Sequence, residues 1–153
     1  KTELGVGTHK SLVLSIGNKT ILDESDLLTM CADDPETKVV GLYLESIKDG
    51  RKFLSEAAGI VPKKPIVLLK SGITDAGGKA AASHTGALAG SDAGIQALCI
   101  QAGIHRAKTL DEFVDLLLTL GQEPPLLSTQ IAIITNAGGP GILASDAAAG
   151  TGL

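Results

Sequence analysis

Val39-Val-Gly-Leu-Tyr-Leu-Glu-Ser-Ile-Lys-Asp-Gly-Arg-Lys-Phe-Leu-Ser-Glu-Ala-Ala-Gly-Ile-Val-Pro-Lys-Lys-Pro-Ile-Val-Leu-Leu69 is the stretch that decides the fold. Its two ends, Val39–Leu44 and Ile66–Leu69, are short continuous apolar runs, the pattern of strands buried on both faces. Between them, Asp49–Ala58 places Phe53, Leu54, Ala57 and Ala58 at helical spacing. Pro62-Lys-Lys-Pro65 stops that helix, and Pro65, which has no N–H, fits the start of a strand rather than its interior. Strand, helix and strand in this order predict parallel pairing.

The same alternation continues outward. Ser11–Ile16 reads as a strand, and Asp23–Cys31 as a helix with Leu27, Leu28 and Cys31 inward. Ser91–Ala102 reads as a helix through Ile95, Leu98, Cys99 and Ala102, and Ile104–Ala107 as a short edge strand. Thr109-Leu-Asp-Glu112 reads as a capping box opening a helix to Leu120, with Leu110, Phe113, Val114 and Leu117 inward. Gly121–Thr129 looks like a linker. Ile131–Ile134 then begins a new strand, Asn136–Gly141 a glycine-rich turn, and Ile142 a helix. The expected fold class is α/β, a doubly wound parallel sheet with helices on both faces. A domain over 1–121 lacks its first βα unit. A linker over 122–129 follows, and 130–153 forms the first βα unit of a second α/β domain. A chain that starts without Met and stops just past a helix reads as part of something longer.

Composition narrows the function classes. With two Phe, one Tyr and no Trp in 153 residues, stacking platforms for single-stranded nucleic acid are nearly absent. A net charge of -4 gives no basic footprint for a phosphate backbone, so no nucleic-acid partner is expected. No run is long and apolar enough for a membrane span, and the opening residues lack the basic and apolar regions expected of a signal peptide. Cys31 and Cys99, each among apolar residues, fit reduced core thiols of a cytoplasmic protein. His9 and His105 show no metal-ligand spacing with them, so no metal site is expected.

Ligands of open α/β sheets bind at the carboxyl ends of the strands. Those ends carry Gly17-Asn-Lys19, Glu45-Ser46, Lys70-Ser-Gly72 and Asn136–Gly141. The third leads into Ile73–Gly90, a run of Gly, Ala and Ser around His84 with little bulk to pack and much backbone freedom. An imidazole there can titrate near neutral pH and act as a nucleophile. Glu45 could orient it by binding one ring nitrogen, although a carboxylate at a strand end is equally a plain surface group. In Asn136-Ala-Gly-Gly-Pro-Gly141 the glycines let N–H groups face an anion at a helix start, or simply make a tight turn.

Lys70-Ser-Gly-Ile-Thr, Ala82-Ser-His-Thr-Gly-Ala-Leu-Ala-Gly-Ser91 and Thr135-Asn-Ala-Gly-Gly-Pro-Gly-Ile-Leu-Ala144 together resemble the ADP-forming acyl-CoA synthetases. These are a branch of the succinyl-CoA synthetase superfamily that includes acetate–CoA ligases. Ser15–Asn18 and Leu44–Arg51 are similar to it as well. The resemblance implies a flavodoxin-like domain in which His84 becomes phosphorylated and Glu45 hydrogen-bonds it. Ser83, Thr85 and Gly86 flank the carrier, and Asn136, Gly138 and Gly139 border the acyl or phosphate pocket. It also implies CoA, ATP or ADP and Mg²⁺ as cofactors of the complete enzyme, bound mostly by parts outside this chain. The implied partners are an ATP-grasp module or β subunit, a CoA-binding Rossmann domain, a small carboxylic acid and its acyl phosphate, within an oligomer. This chain alone would then be inactive. A second expectation is a ligase-like regulatory domain of a fused protein acetyltransferase, in which the carrier histidine can be absent.

Overall fold

The computed structural model describes residues 10–17, 19–72, 91–123, 128 and 130–151. The chain divides into two compact units, Lys1–Glu123 and Pro124–Leu153.

In the first unit the helices are α1 (Glu24–Asp33), α2 (Gly50–Ile60), α3 (Asp92–Ala102) and α4 (Leu110–Gln122). The strands are β1 (Val40–Leu44), β2 (Ile66–Lys70) and β3 (His105–Ala107). They form a parallel sheet in the order β1-β2-β3, with Val40 opposite Ile66, Leu44 opposite Lys70 and Val67 opposite His105. All five residues of β2 are buried, as the continuous apolar run requires of a strand covered on both sides. Alternate side chains divide between two cores. Ile66 and Leu68 join Leu28, Phe53, Ala57, Ile95 and Cys99 beneath α1, α2 and α3. Val67 and Leu69 join Ala107 under Phe113, Leu116, Leu117 and Leu120 of α4. The α/β architecture with helices on both faces is therefore the one the alternation predicts.

Local chemistry fixes the helix starts. The Asp23 carboxylate accepts from the Ser25 and Asp26 N–H groups at 2.9 and 3.1 Å, and Asp26 Oδ2 accepts from Asp23 N–H at 3.0 Å. This is a reciprocal capping box built from two aspartates. Burial pushes the Asp23 carboxyl up, but bonds from Asp26, Lys52 and Ser25 outweigh it and hold the group below its ordinary value. At α4, Thr109 Oγ1 accepts from Glu112 N–H at 3.1 Å, while the Glu112 carboxylate accepts from Lys108 N–H at 2.8 Å, one residue before the cap. Gly103 ends α3 in the left-handed region at φ 73, where glycine carries no Cβ penalty. Gly41 lets α4 lie close on the sheet, because a Cβ there would meet Leu117 Cδ1 at 2.9 Å.

Several expectations are corrected. Ser11–Ile16 forms no strand among the described residues, and Leu12, Val13 and Leu14 are exposed. An apolar run becomes a strand only where a neighbour completes its ladder, and the run itself does not encode that neighbour. Ile131–Ile134 lacks a ladder for the same reason. Leu110 and Ala58 face outward, because helix phase was set by Phe113 and Leu117 in α4 and by Phe53, Ala57 and Ile60 in α2. In the second unit, helix α5 (Gly138–Thr151) begins inside the expected turn rather than at Ile142.

Candidate active site at the carboxyl edge of the sheet

The described site lies where β1 and β2 end. The Ser71 N–H donates to the Leu44 carbonyl at 3.0 Å, which holds the two exits side by side. The chain leaves β1 through Glu45, half-buried, and leaves β2 through Ser71 and Gly72, the latter at φ 69. His84, Ser83, Thr85 and Gly86 follow in sequence and lie outside the described residues. The far side of that segment is Ser91, whose hydroxyl caps α3 by accepting from Gly94 N–H at 3.1 Å.

Lys70 is 4% exposed at the end of the central strand, with Nζ donating to the Ser71 carbonyl. Burial pushes its ammonium below the ordinary value. The Glu45 carboxylate is the strongest opposing influence, with a smaller one from Asp92, while the charges of Lys19 and Arg106 reinforce burial. Arg106, on β3, pairs with the Asp92 carboxylate and donates to Gln96 Oε1 at 2.9 Å. Its Nε is buried without a partner among the described residues. Lys70 closes β2 while Arg106 stands mid-strand on β3, and the charges of Arg106 and of half-buried Glu45 act on Lys70 in opposite senses.

A second cluster stands behind Glu45. Glu24, the first residue of α1, has a side chain 1% exposed. Its Oε1 accepts from Lys48 N–H at 2.6 Å, and its Oε2 lies 2.9 Å from Lys19 Nζ. The latter contact is an ion pair without hydrogen-bond geometry, and the same ammonium donates to the Ser46 carbonyl. Sequence reasoning missed Glu24. An acidic residue in the first turn reads as a favourable dipole partner, and helical periodicity does not mark it as buried. Lys70 carried a legible signal, a charge closing the most apolar strand.

In the second unit, Thr135 Oγ1 accepts from Ala137 N–H at 3.1 Å and donates to the Ala137 carbonyl at 3.0 Å. This closes the turn that leads into α5. A Cβ at Gly138 or Gly139 would meet nothing within 4 Å, so the start of the helix is open. The first N–H groups of a helix have no intrahelical partner, which suits an anion. Gly138 and Gly139 open α5, and Asn136 lies two residues before it.

Buried Lys70 leads to a stability prediction. Replacing a buried charge by an apolar isostere is often neutral or stabilising, so Lys70→Met should raise the free energy of unfolding in urea by about 1 kcal/mol. The sign of the pH effect follows from a depressed lysine. Between its folded value and the ordinary 10.5, the unfolded chain holds more protons, so wild-type stability should gain a rising component with pH in that window. The Met variant should lose that component. A variant destabilised by 1 kcal/mol or more would show instead that the charge is well paired.

The family of succinyl-CoA ligase-like flavodoxin domains matches residues 2–120, and the chain belongs to it. The chain is 51% identical over 143 residues to the ADP-forming acetate–CoA ligase of Methanocaldococcus jannaschii, covering 94% of this chain and 20% of that protein. It is 45% identical to the alpha subunit of ADP-forming acetate–CoA ligase I of Pyrococcus furiosus, with 94% and 31% covered. Among solved structures, the dinucleotide-forming acetyl-coenzyme A synthetase 1 of Ca. Korarchaeum cryptofilum, in complex with phosphate and ADP, superposes with a TM-score of 0.84 at 39% identity. That match covers 91% of this chain and 30% of that one. The chain thus spans between a fifth and a third of these proteins. Among the described residues, no helix is long and apolar enough to cross a membrane, and no three His, Cys, Asp or Glu side chains are grouped to hold a metal.

Proposed function

We propose that this chain is the phosphohistidine-bearing region of an ADP-forming acid–CoA ligase acting on acetate or another small acid. The observation that carries the reading is the exit of β2, where Glu45 and buried Lys70 flank the start of the segment that contains His84. In the proposed cycle, phosphate displaces CoA from acyl-CoA and gives an acyl phosphate. His84 attacks its phosphorus, the acid leaves, and the histidine then donates the phosphoryl group to ADP. Glu45 accepts a hydrogen bond from one ring N–H so that the other nitrogen offers its lone pair, and it balances the positive charge that develops on the ring. Ser83, Thr85 and Gly86 shape the carrier segment.

Phosphoryl transfer depends on positioning and electrostatics more than on covalent chemistry by the protein. The open helix start at Gly138 and Gly139, with Asn136 beside it, supports an acyl-phosphate or phosphate site in the second unit. The Thr135 hydroxyl takes up the Ala137 N–H, so an anion would be met by the N–H groups of Gly138 and Gly139. Residues 1–121 are the ligase domain in this reading, 122–129 the linker and 130–153 the opening of the next domain. An ATP-grasp module or β subunit supplies nucleotide and Mg²⁺, and a Rossmann domain holds CoA. The Pyrococcus relative, named as an alpha subunit, supports such a division. The proposed setting is a cytoplasmic oligomer.

The test is covalent labelling of the complete enzyme with [γ-³²P]ATP and Mg²⁺. Label that is acid-labile, base-stable and confined to the peptide containing His84 is expected. Acid-stable label, or label on another peptide, would remove the carrier role.

A further inference from the structure

The loop Glu45-Ser46-Ile47-Lys48 is held from behind by groups that the reaction itself does not use. Glu24 Oε1 accepts from the Lys48 N–H at 2.6 Å. Lys19 Nζ donates to the Ser46 carbonyl and lies 2.9 Å from Glu24 Oε2. Lys48 Nζ returns a bond to the Lys19 carbonyl at 2.8 Å. On the other flank, Ser71 N–H fixes the Leu44 carbonyl. Glu45 is therefore bracketed by bonds to the residue before it, the residue after it and the residue three beyond.

Two features of this cluster cost stability. The Lys19 and Glu24 side chains are 13% and 1% exposed, and a buried ion pair is commonly no better than apolar side chains of the same volume. Lys19 also sits at φ 54, a left-handed conformation unfavourable for a side chain with a Cβ. Such strain persists where surrounding contacts over-determine it, and it gathers at functional sites. What the pair supplies in return is geometry, since both partners bond backbone atoms of the Glu45 loop.

We infer that Lys19 and Glu24 are positioning residues for Glu45, a buried clamp that fixes the loop from which Glu45 meets the reacting histidine. This rests on the role of Glu45 proposed above. A displacement of about 1 Å in a catalytic arrangement can cost up to about 10²-fold in rate. A partly released loop should therefore cost on the order of tenfold.

The test is made in the complete ligase with Lys19→Met and Glu24→Gln together, which removes both charges and keeps their volume. The glutamine carbonyl can still accept from Lys48 N–H, so the fold should persist, with melting within a few degrees of wild type. The expected result is a kcat about tenfold lower, KM values for acid and CoA unchanged within about twofold, and phosphoenzyme formed correspondingly more slowly. Lys19→Arg, which keeps charge and donor, should retain most of the activity. In a Glu45→Gln background the double substitution should cost little more, because the clamp acts through Glu45. A folded double variant with wild-type kcat, or a loss that adds in full to that of Glu45→Gln, overturns the inference. If Glu45→Gln itself costs nothing, the proposed role of Glu45 fails instead. Should the double variant not fold, Glu24→Asp, which withdraws the carboxylate by one methylene and keeps its charge, takes its place. A kcat reduced about threefold with unchanged KM then supports the clamp, and an unchanged kcat overturns it.

Discussion

His84→Asn in the complete ligase is expected to abolish covalent label from [γ-³²P]ATP and to lower turnover by about four orders of magnitude or more, the scale on which loss of a nucleophile acts. An asparagine amide keeps polarity and approximate size, but its nitrogen lone pair is delocalised and cannot attack phosphorus. The substitution therefore separates chemistry from structure. His84 lies in a sequence run rich in Gly, Ala and Ser, where a change from one polar side chain to another is expected to leave the melting temperature within a few degrees. The acyl half of the cycle sharpens the test. Acyl-CoA and phosphate should still give acyl phosphate, but the variant should not exchange phosphate into ATP. Label retained at the wild-type level would show that the nucleophile lies elsewhere.

The sheet was legible because its chemistry is local. Ile66–Leu69 is apolar without interruption, and only a strand covered on both faces fits that run between Pro65 and Lys70. Phe53 and Ala57, or Ile95 and Cys99, mark inward helix faces by spacing alone. What failed was pairing. Ser11–Ile16 and Ile131–Ile134 have strand composition, but a ladder needs a second strand, and neither run specifies one. The site divided along the same line. Glu45 could be placed at a strand end, and the Asn136–Gly139 turn at the start of a helix, by counting residues. The burial of Glu24 could not, since it depends on Lys48 and Lys19 arriving from two other loops. Lys70 lay between these cases. Its position was visible, whereas its depressed ammonium arises from burial and from Lys19 and Arg106, which the fold brings together.

Glu45→Gln in the complete ligase is expected to lower kcat by about 10²-fold or more with little change in the KM for acid or CoA, between the ~10²-fold cost of altering an outer partner of a ligating imidazole and the ~10⁴-fold cost of an amide in place of a triad carboxylate. The amide can still accept one hydrogen bond, so the loss reports the missing charge and the freedom of the side chain to present N–H instead of oxygen. Glu45→Asp should lose about tenfold, because it keeps the charge but falls one methylene short. Stability should move by less than about 0.5 kcal/mol in either variant, since Glu45 is half-buried and makes no ion pair within 4 Å among the described residues. Glu45 is also the strongest influence favouring the charged form of Lys70. Without it the ammonium is pushed further down, so Lys70→Met should stabilise the Glu45→Gln protein more than it stabilises wild type. A kcat unchanged in Glu45→Gln would reduce Glu45 to a surface carboxylate. Equal effects of Lys70→Met in both backgrounds would show that the two strand ends act independently.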